Sequence, residues 1–189
     1  MKTVSIKDIA KETGLSITAV SLILNNKSTT IPQETINRVK EVALKFGYRP
    51  NVIASSLRTK KTKTIGYVMP SIENSFFSEI AKKVEKIVEE YGYSIIICSS
   101  NDKFEKDYNL IQMLTSRMID FLIFCPSVET LHGTNIQKII NLLQSINTPY
   151  IVVDRQIKGD IKSKVVCDDY QGGMLATKHL IDNGHRKIA

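Results

Sequence analysis

The sequence contains no tryptophan, and aromatic residues make up only 7% of it. Its three cysteines, Cys98, Cys125 and Cys167, are odd in number and widely spaced. That pattern fits neither a disulfide framework nor a zinc site. Each lies in or beside an apolar run, so buried thiols in a reducing cytoplasm are expected. No apolar run approaches the roughly 18 residues that cross a bilayer. The N-terminus lacks the apolar core and small-residue cleavage site of a signal peptide. Catalytic signatures are missing too. His132, His179 and His185 stand apart, without HExxH or paired-ligand spacing, and there is no GxSxG or P-loop segment. Gly172-Gly173 does not extend to GxGxxG. Asp168-Asp169 could suggest paired acids, but adjacent strand residues point to opposite faces, so a helix cap is the expected role. Neither enzymatic activity nor a metal or cofactor is expected.

Acidic residues are scarce in one region only. Residues 1–63 hold 12 Lys+Arg against 4 Asp+Glu, whereas residues 64–189 hold 14 against 15. A basic first third beside a near-neutral body suggests a polyanionic partner for that third, although charge alone fits a solvated lysine-rich surface equally well. Hydrophobic residues, at 42%, suffice for at least one core.

The basic segment carries short helical patterns. Ser5-Ile6-Lys7-Asp8 has the form of a capping box, with Ile6, Ile9 and Ala10 on one face and Gly14 ending the turn. Ser16 can cap a second helix from about residue 17 to 24, with Ala19, Val20, Ile23 and Leu24 inward. A third starts near Pro32 and carries the stripe Ile36, Val39, Val42, Ala43 and Phe46 up to Gly47. After Tyr48-Arg49-Pro50 comes a very short candidate helix, 51–58, then a polar basic linker, 59–63.

From Ile65 the pattern changes. Continuous apolar runs at 65–69, 94–98, 121–125, 150–153 and 165–167 alternate with amphipathic stretches at 76–91, 104–116, 136–146 and 173–183. That alternation predicts a parallel sheet covered by helices.

Two short helices around a tight glycine turn, in basic surroundings, suggest a helix-turn-helix, although such turns also occur in generic helical bundles. Major-groove reading requires small or polar exposed side chains at the start of the second helix. Ser16, Ile17, Thr18 and Ser21 have that character.

Residues 4–21, Val-Ser-Ile-Lys-Asp-Ile-Ala-Lys-Glu-Thr-Gly-Leu-Ser-Ile-Thr-Ala-Val-Ser, resemble the headpiece of the LacI/GalR (lactose-repressor) family. Asn25, Thr35, Arg38, Val39, the run Gly47-Tyr48-Arg49-Pro50-Asn51, Ala54 and Leu57 continue the match. The resemblance implies that Ile17, Thr18 and Ser21 read bases, while Ser5, Ser16, Asn25, Thr35 and Tyr48 hold phosphates. It implies a hinge helix, Asn51 to Arg58 with Ala54, that pairs with its twin in the minor groove, where Leu57 wedges between base pairs. The implied partners are a pseudo-palindromic double-stranded DNA operator, a second copy of the chain and a small-molecule effector, a sugar by class. One departure matters: many family members have a basic residue after the serine at position 21, and here it is Leu22. Leucine cannot pair with guanine O6 and N7, so a different base is expected at the matching operator position.

The α/β part resembles the family's sugar-binding core, itself similar to periplasmic sugar-binding proteins. In open parallel sheets ligands bind beyond the carboxyl ends of the strands. This nominates Ser71, Asn74, Phe76 and Phe77, then Ser100 and Asn101, Ser127, Asp154 with Arg155, and Asp168 with Asp169. Each could equally be a cap or structural loop polar. Asn74-Ser75-Phe76-Phe77 resembles a family segment that usually has proline at Ser75, and Asp154-Arg155 resembles a charged pair that often binds the effector. Residues 168–173 and 184–189 also match family segments. The expected architecture is therefore multidomain. It comprises an all-α helix-turn-helix headpiece (1–58) and an α/β parallel-sheet, periplasmic-binding-protein-like effector domain (64–166), with the start of a second effector subdomain at 167–189. Relatives continue well beyond this point, so weak effector binding and reduced stability are expected of these 189 residues. The remaining readings are a sugar-binding module without DNA activity, or a fragment whose headpiece folds but does not dimerise.

Overall fold

In the computed structural model, which describes residues 4–25, 30–48 and 61–188, the first three helices form where local signals are strongest. Helix α1 (Ile6–Thr13) begins at Ser5, whose backbone N–H and hydroxyl both donate to Asp8 Oδ2, at 2.8 and 2.6 Å. It ends at Gly14, whose φ of +70° is a left-handed geometry that a side chain would strain. That residue turns the chain within three positions into α2 (Ile17–Leu24), where Ser16 Oγ accepts from Ala19 N at 3.1 Å. Helix α3 (Gln33–Lys45) follows. Pro32 occupies the N-cap rather than the first helical position. Its φ of −56° and ψ of 143° place it just outside the helix.

The three helices share a core of Ile9, Ala10, Val20, Ile23, Val39 and Ala43, with Ile6, Leu24, Ile36, Val42 and Tyr48 packed around it. Phe46, expected in the stripe, is half-buried and lies outside this cluster. Arg38 donates to Thr13 O at 2.7 Å, so a residue of α3 satisfies a carbonyl at the end of α1.

The chain divides into two compact units, Met1–Lys60 and Lys61–Ala189. The second unit is built on five parallel strands: β1 (Thr64–Met69), β2 (Ser94–Ser99), β3 (Phe121–Phe124), β4 (Tyr150–Val153) and β5 (Lys164–Val165). Their order is β2-β1-β3-β4-β5. Between them run α4 (Ser75–Glu90), α5 (Phe104–Ser116), a 3-10 turn (Glu129–Leu131) and α6 (Asn135–Ser145), and α7 (Asp169–Asp182) follows β5. One sheet face carries Val68, Leu122, Phe124 and Val152 against α5 and α6. The other carries Tyr67, Met69 and Cys125 against Phe77 and Ala81 of α4. Gly66 permits the close approach of α5, because a Cβ there would lie 2.8 Å from Ile119 Cδ1 and 2.9 Å from Leu114 Cδ1.

Two elements of the second unit differ from expectation by more than one residue. Strand β5 is the pair Lys164–Val165, not 165–167. Helix α7 starts at Asp169, four residues before the expected 173, because Asp168 caps it by accepting from Gln171 N at 2.8 Å. The cap outweighs the two glycines inside the first turns. Helix α7 buries none of its residues. Among the described residues no helix is long and apolar enough to cross a membrane, and no group of side chains is suited to hold a metal ion.

Candidate functional sites

The start of α2 is the first candidate surface. Ser16 and Thr18 are exposed, and Ile17 keeps 47% of its surface open, although isoleucine ordinarily seeks a core. Ser16 Oγ spends a lone pair on the Ala19 amide, which leaves its proton to donate. Ser21 is half-buried. Leu22 is 36% exposed and lies one turn beyond Thr18 on the same face. The exposed Asn25 donates its side-chain amide to Ser21 O at 2.7 Å. Thr35 and Tyr48 are half-buried, and Tyr48 packs on the headpiece core. The Ser5 hydroxyl already donates to Asp8, so it can offer its proton to a phosphate only by turning away. Asn51, Ala54, Leu57 and Arg58 lie outside the described residues.

The second candidate lies at the carboxyl ends of the strands. The order reverses between β1 and β3, which is where a doubly wound sheet opens a crevice. Arg155, just past β4, gathers this crevice together. Its Nη1 lies 2.6 Å from Asp102 Oδ1 and donates to Pro126 O at 3.1 Å, and its guanidinium sits 5.4 Å from the Phe77 ring centre. Phe77 is buried, and Phe76, 49% exposed, meets it edge-on at 5.2 Å. Asp154 adopts φ +67°, and Arg155 N donates back to Val153 O at 2.9 Å, a tight three-residue turn that costs a non-glycine residue about 1–3 kcal/mol. Asp154 Oδ2 accepts from the buried Cys125 thiol at 3.8 Å. Burial, then the Asp154 charge, pushes that thiol up to about 12, so it remains a donor. Burial, then the charges of Cys125 and Asp154, raises the Tyr67 phenol as well, and its hydroxyl has no hydrogen-bond partner among the described residues.

An open crevice of about 770 Å³ passes Leu131, Asp154, Arg155, Gln156, Asp168 and Asp169. Asp154, Arg155 and Asp169 therefore share one opening, and Phe77 reaches it through Arg155. Other nominated residues serve structure. Asn74 caps α4 by accepting from Phe76 N at 2.9 Å, and Ser71 Oγ accepts from Glu73 N at 3.2 Å. Ser100 and Ser127 are fully buried, and Asn101 Oδ1 accepts from Ser99 Oγ at 3.1 Å. The sequence nominates neither Asp102 nor Tyr67 for the site, and offers Cys125 only as a buried thiol. Asp102 follows two nominated residues directly, but its partner is 53 positions away and only the strand order joins them.

Burial raises the Asp102 carboxyl, but the Arg155 hydrogen bond, the Val128 N–H and the Arg155 charge hold it below the ordinary value overall. A carboxylate depressed by folding contributes stability that is fully present above its unfolded value, and that stability is lost as pH falls through the folded value. The pair is therefore expected to survive mild acid and to break only below the ordinary aspartate range. In an NMR titration the Asp102 midpoint should lie below the usual aspartate value and rise in Arg155→Met; an unchanged midpoint in that variant would contradict the pairing.

Residues 62–189 match the family described as periplasmic binding proteins and sugar binding domain of LacI family, and residues 5–51 match bacterial regulatory proteins of the lacI family. The chain is 34% identical over 185 residues to the HTH-type transcriptional regulator RegA of Clostridium saccharobutylicum, covering 98% of this chain and 54% of the relative. It is also 34% identical to the HTH-type transcriptional repressor PurR of Glaesserella parasuis, covering 98% of this chain and 52% of that protein. It thus spans about half the length of these curated relatives. Its fold is similar to that of the lac repressor in a crystal structure of the dimer bound to operator and an anti-inducer, with TM-score 0.78 at 22% identity over 100% of this chain and 55% of that one. The transcription regulator CcpA of Lactococcus lactis is similar at TM-score 0.58 and 28% identity, over 67% of this chain and 44% of that one. The glycine-turned helix pair, the parallel sheet with its crevice and the two matches between them covering nearly the whole chain agree: the chain belongs to the LacI family of bacterial regulatory proteins.

Proposed function

We propose that this chain is a sequence-specific DNA-binding transcriptional repressor, working in the cytoplasm as a homodimer on a pseudo-palindromic operator, and that a small hydroxylated effector of the sugar class controls it. It acts by binding, not catalysis. The observation that carries this reading is the exposed Ser16-Ile17-Thr18 start of α2, where an apolar and two hydroxyl side chains face solvent at the end of a short helix. The basic balance of residues 1–63 and the regulator and repressor names of RegA and PurR support it.

Helix α2 lies in the major groove, where Ile17 meets a thymine methyl while Thr18 and Ser21 bond base edges. Lysines and arginines supply salt-dependent phosphate affinity. The family resemblance adds Asn51, Ala54, Leu57 and Arg58 as a minor-groove contact, within a headpiece of 1–58 joined by a 59–63 linker to the effector part from 64. In the effector crevice Asp154 and Arg155 bond hydroxyls, with Phe76, Phe77 and Asp169 around them, while Asn74 caps the helix that carries the two rings. Effector binding shifts the population of DNA-competent chains.

Selection from random duplexes tests the reading. A two-fold-related half-site should emerge, with no guanine preference at the base facing Leu22. Ile17→Ala and Thr18→Ala should each weaken the selected duplex by roughly 5- to 150-fold, as the loss of about 1–3 kcal/mol per base contact requires. Failure of any duplex to enrich, or unchanged affinity in both variants, would sink it.

A further inference from the structure

The crevice at the carboxyl ends of the strands is short of free positive charge. Among the described residues that line it, Arg155 is the one basic side chain, against the carboxylates of Asp154, Asp168 and Asp169. The Arg155 guanidinium is already answered. Its Nη1 lies 2.6 Å from Asp102 Oδ1 and donates to Pro126 O at 3.1 Å, which spends both hydrogens of that nitrogen. Asp168 is occupied as well, since its Oδ1 accepts from Gln171 N at 2.8 Å. What remains open is acceptor. Among the described residues the Asp169 carboxylate has no hydrogen bond or ion pair, and the Asp154 carboxylate has only the 3.8 Å contact from the Cys125 thiol, through Oδ2. Asp154 Oδ1 is left over.

A second observation comes from beneath Asp154. The Tyr67 hydroxyl is fully buried and has no hydrogen-bond partner among the described residues, and it stands close enough to Cys125 and Asp154 for both charges to act on it. An unpaired buried hydroxyl is costly, so its proton waits for an acceptor, and Asp154 is the carboxylate at hand. The donors behind Asp154 are thus a thiol and a phenol, neutral groups that do not cancel its charge. The N-terminus of α7, at Asp168 and Asp169, offsets about half a charge, and the opening keeps a surplus of about two negative charges.

We infer that the effector carries a protonated amine beside its hydroxyls, an amino sugar by class, and that Asp169 and Asp154 Oδ1 receive its ammonium group. This rests on the reading of the crevice as a sugar-class effector site and names what that reading leaves open. An ammonium brings three donors and a unit charge, which two unpaired carboxylates meet together. The exposed Tyr170 ring lies on the same rim, and aromatic faces attract cations. A phosphorylated sugar fits poorly, because the one guanidinium is tied to Asp102 and the phosphate would face Asp154, Asp168 and Asp169. A single exposed ion pair is worth little, but two acting on one group favour the amine over its neutral parent by about tenfold.

The test titrates the whole chain with glucosamine and galactosamine, with their neutral parents glucose and galactose, and with the 6-phosphates of both parents. Amide NMR spectra at about pH 6.5, where the amines are protonated, read even weak binding. At least one hexosamine should shift the amides of Asp154, Arg155, Asp169 and Tyr170 and bind about tenfold more tightly than its parent, with the phosphate weaker still. The advantage of the amine should shrink as salt is raised to about 0.5 M. Asp169→Asn and Asp154→Asn each remove a charge at nearly constant volume, and asparagine tolerates the left-handed backbone of residue 154. Each should bring the hexosamine severalfold down toward its parent. A 6-phosphate that binds as tightly as the hexosamine overturns the inference, as does equal binding of hexosamine and parent, or a wild-type preference kept by both variants. If none of these compounds shifts an amide of the crevice, the sugar-class reading on which the inference rests fails instead.

Discussion

Asp107→Ala is expected to destabilise the effector unit by about 3 kcal/mol, through polar groups it leaves stranded rather than through lost volume. Asp107 sits in α5 with no exposed surface. Its Oδ2 accepts from Ser127 N at 2.8 Å and from Thr130 Oγ1 at 2.7 Å. Ser127 Oγ donates to Thr130 Oγ1 at 3.0 Å and accepts from Thr130 N at 3.2 Å. Alanine would leave the Ser127 amide and the Thr130 hydroxyl without their acceptor in a dry interior, and each such group costs about 1–3 kcal/mol. Nearby Glu129 Oε2 accepts from Phe104 N at 3.1 Å, so the loop after β3 is fastened to the start of α5 at two places and does not collapse easily around the gap. Asp107→Asn keeps an acceptor for one donor and should cost clearly less. Urea unfolding of the three chains measures this. A loss below about 1 kcal/mol in the alanine variant would mean that water reaches the network.

Ile9→Ala should abolish operator binding without altering any DNA contact. Ile9 has no exposed surface and joins Val20 and Val39 at the centre of the headpiece. Truncating a buried isoleucine costs about 2–5 kcal/mol. A helical unit of this size rarely holds more than about 3–5 kcal/mol in total. The substitution therefore removes most or all of the stability of the first unit. Leu44→Ala is the matched control: Leu44 lies on α3 but is 86% exposed, so its truncation should change stability by no more than about 0.5 kcal/mol. Amide NMR spectra would show loss of headpiece dispersion in Ile9→Ala and none in Leu44→Ala, with duplex binding following the spectra. Retained binding in Ile9→Ala would show that the headpiece has stability to spare.

Local chemistry made much of this fold readable. Ser5 with Asp8, Ser16, Gly14 and Gly47 bracket helices whose inward residues follow one period, and the three helices expected among the described residues of the first unit are present. The apolar runs at β1, β3 and β4 became the buried middle of a parallel sheet because helices flank it. Less legible was whatever depends on strand order. Asp102 and Arg155 are separated by 53 positions, and Asp120 is 58 from Thr62; no periodicity links such pairs. Helix α7 starts four residues before the expected 173, at the Asp168 cap that the sequence itself offers. Among the nominated ligand residues, burial separated Ser100 and Ser127, which hold the fold, from Asp154 and Arg155, which face the opening.

Asp102 Oδ1 accepts from Val128 N at 2.9 Å as well as from Arg155. One oxygen therefore serves as the common knot for three loops, those after β2, β3 and β4. Any guest that competes for the guanidinium unties more than its own contact, since the segment at 126–128 loses its tether to Arg155 and has its bond to Asp102 weakened. Occupancy would then be felt as slackening of a surface stretch remote in sequence from the residue displaced. A guest bearing its own negative group would pull hardest on that knot, whereas an uncharged one could nestle beside it and leave the loops drawn together.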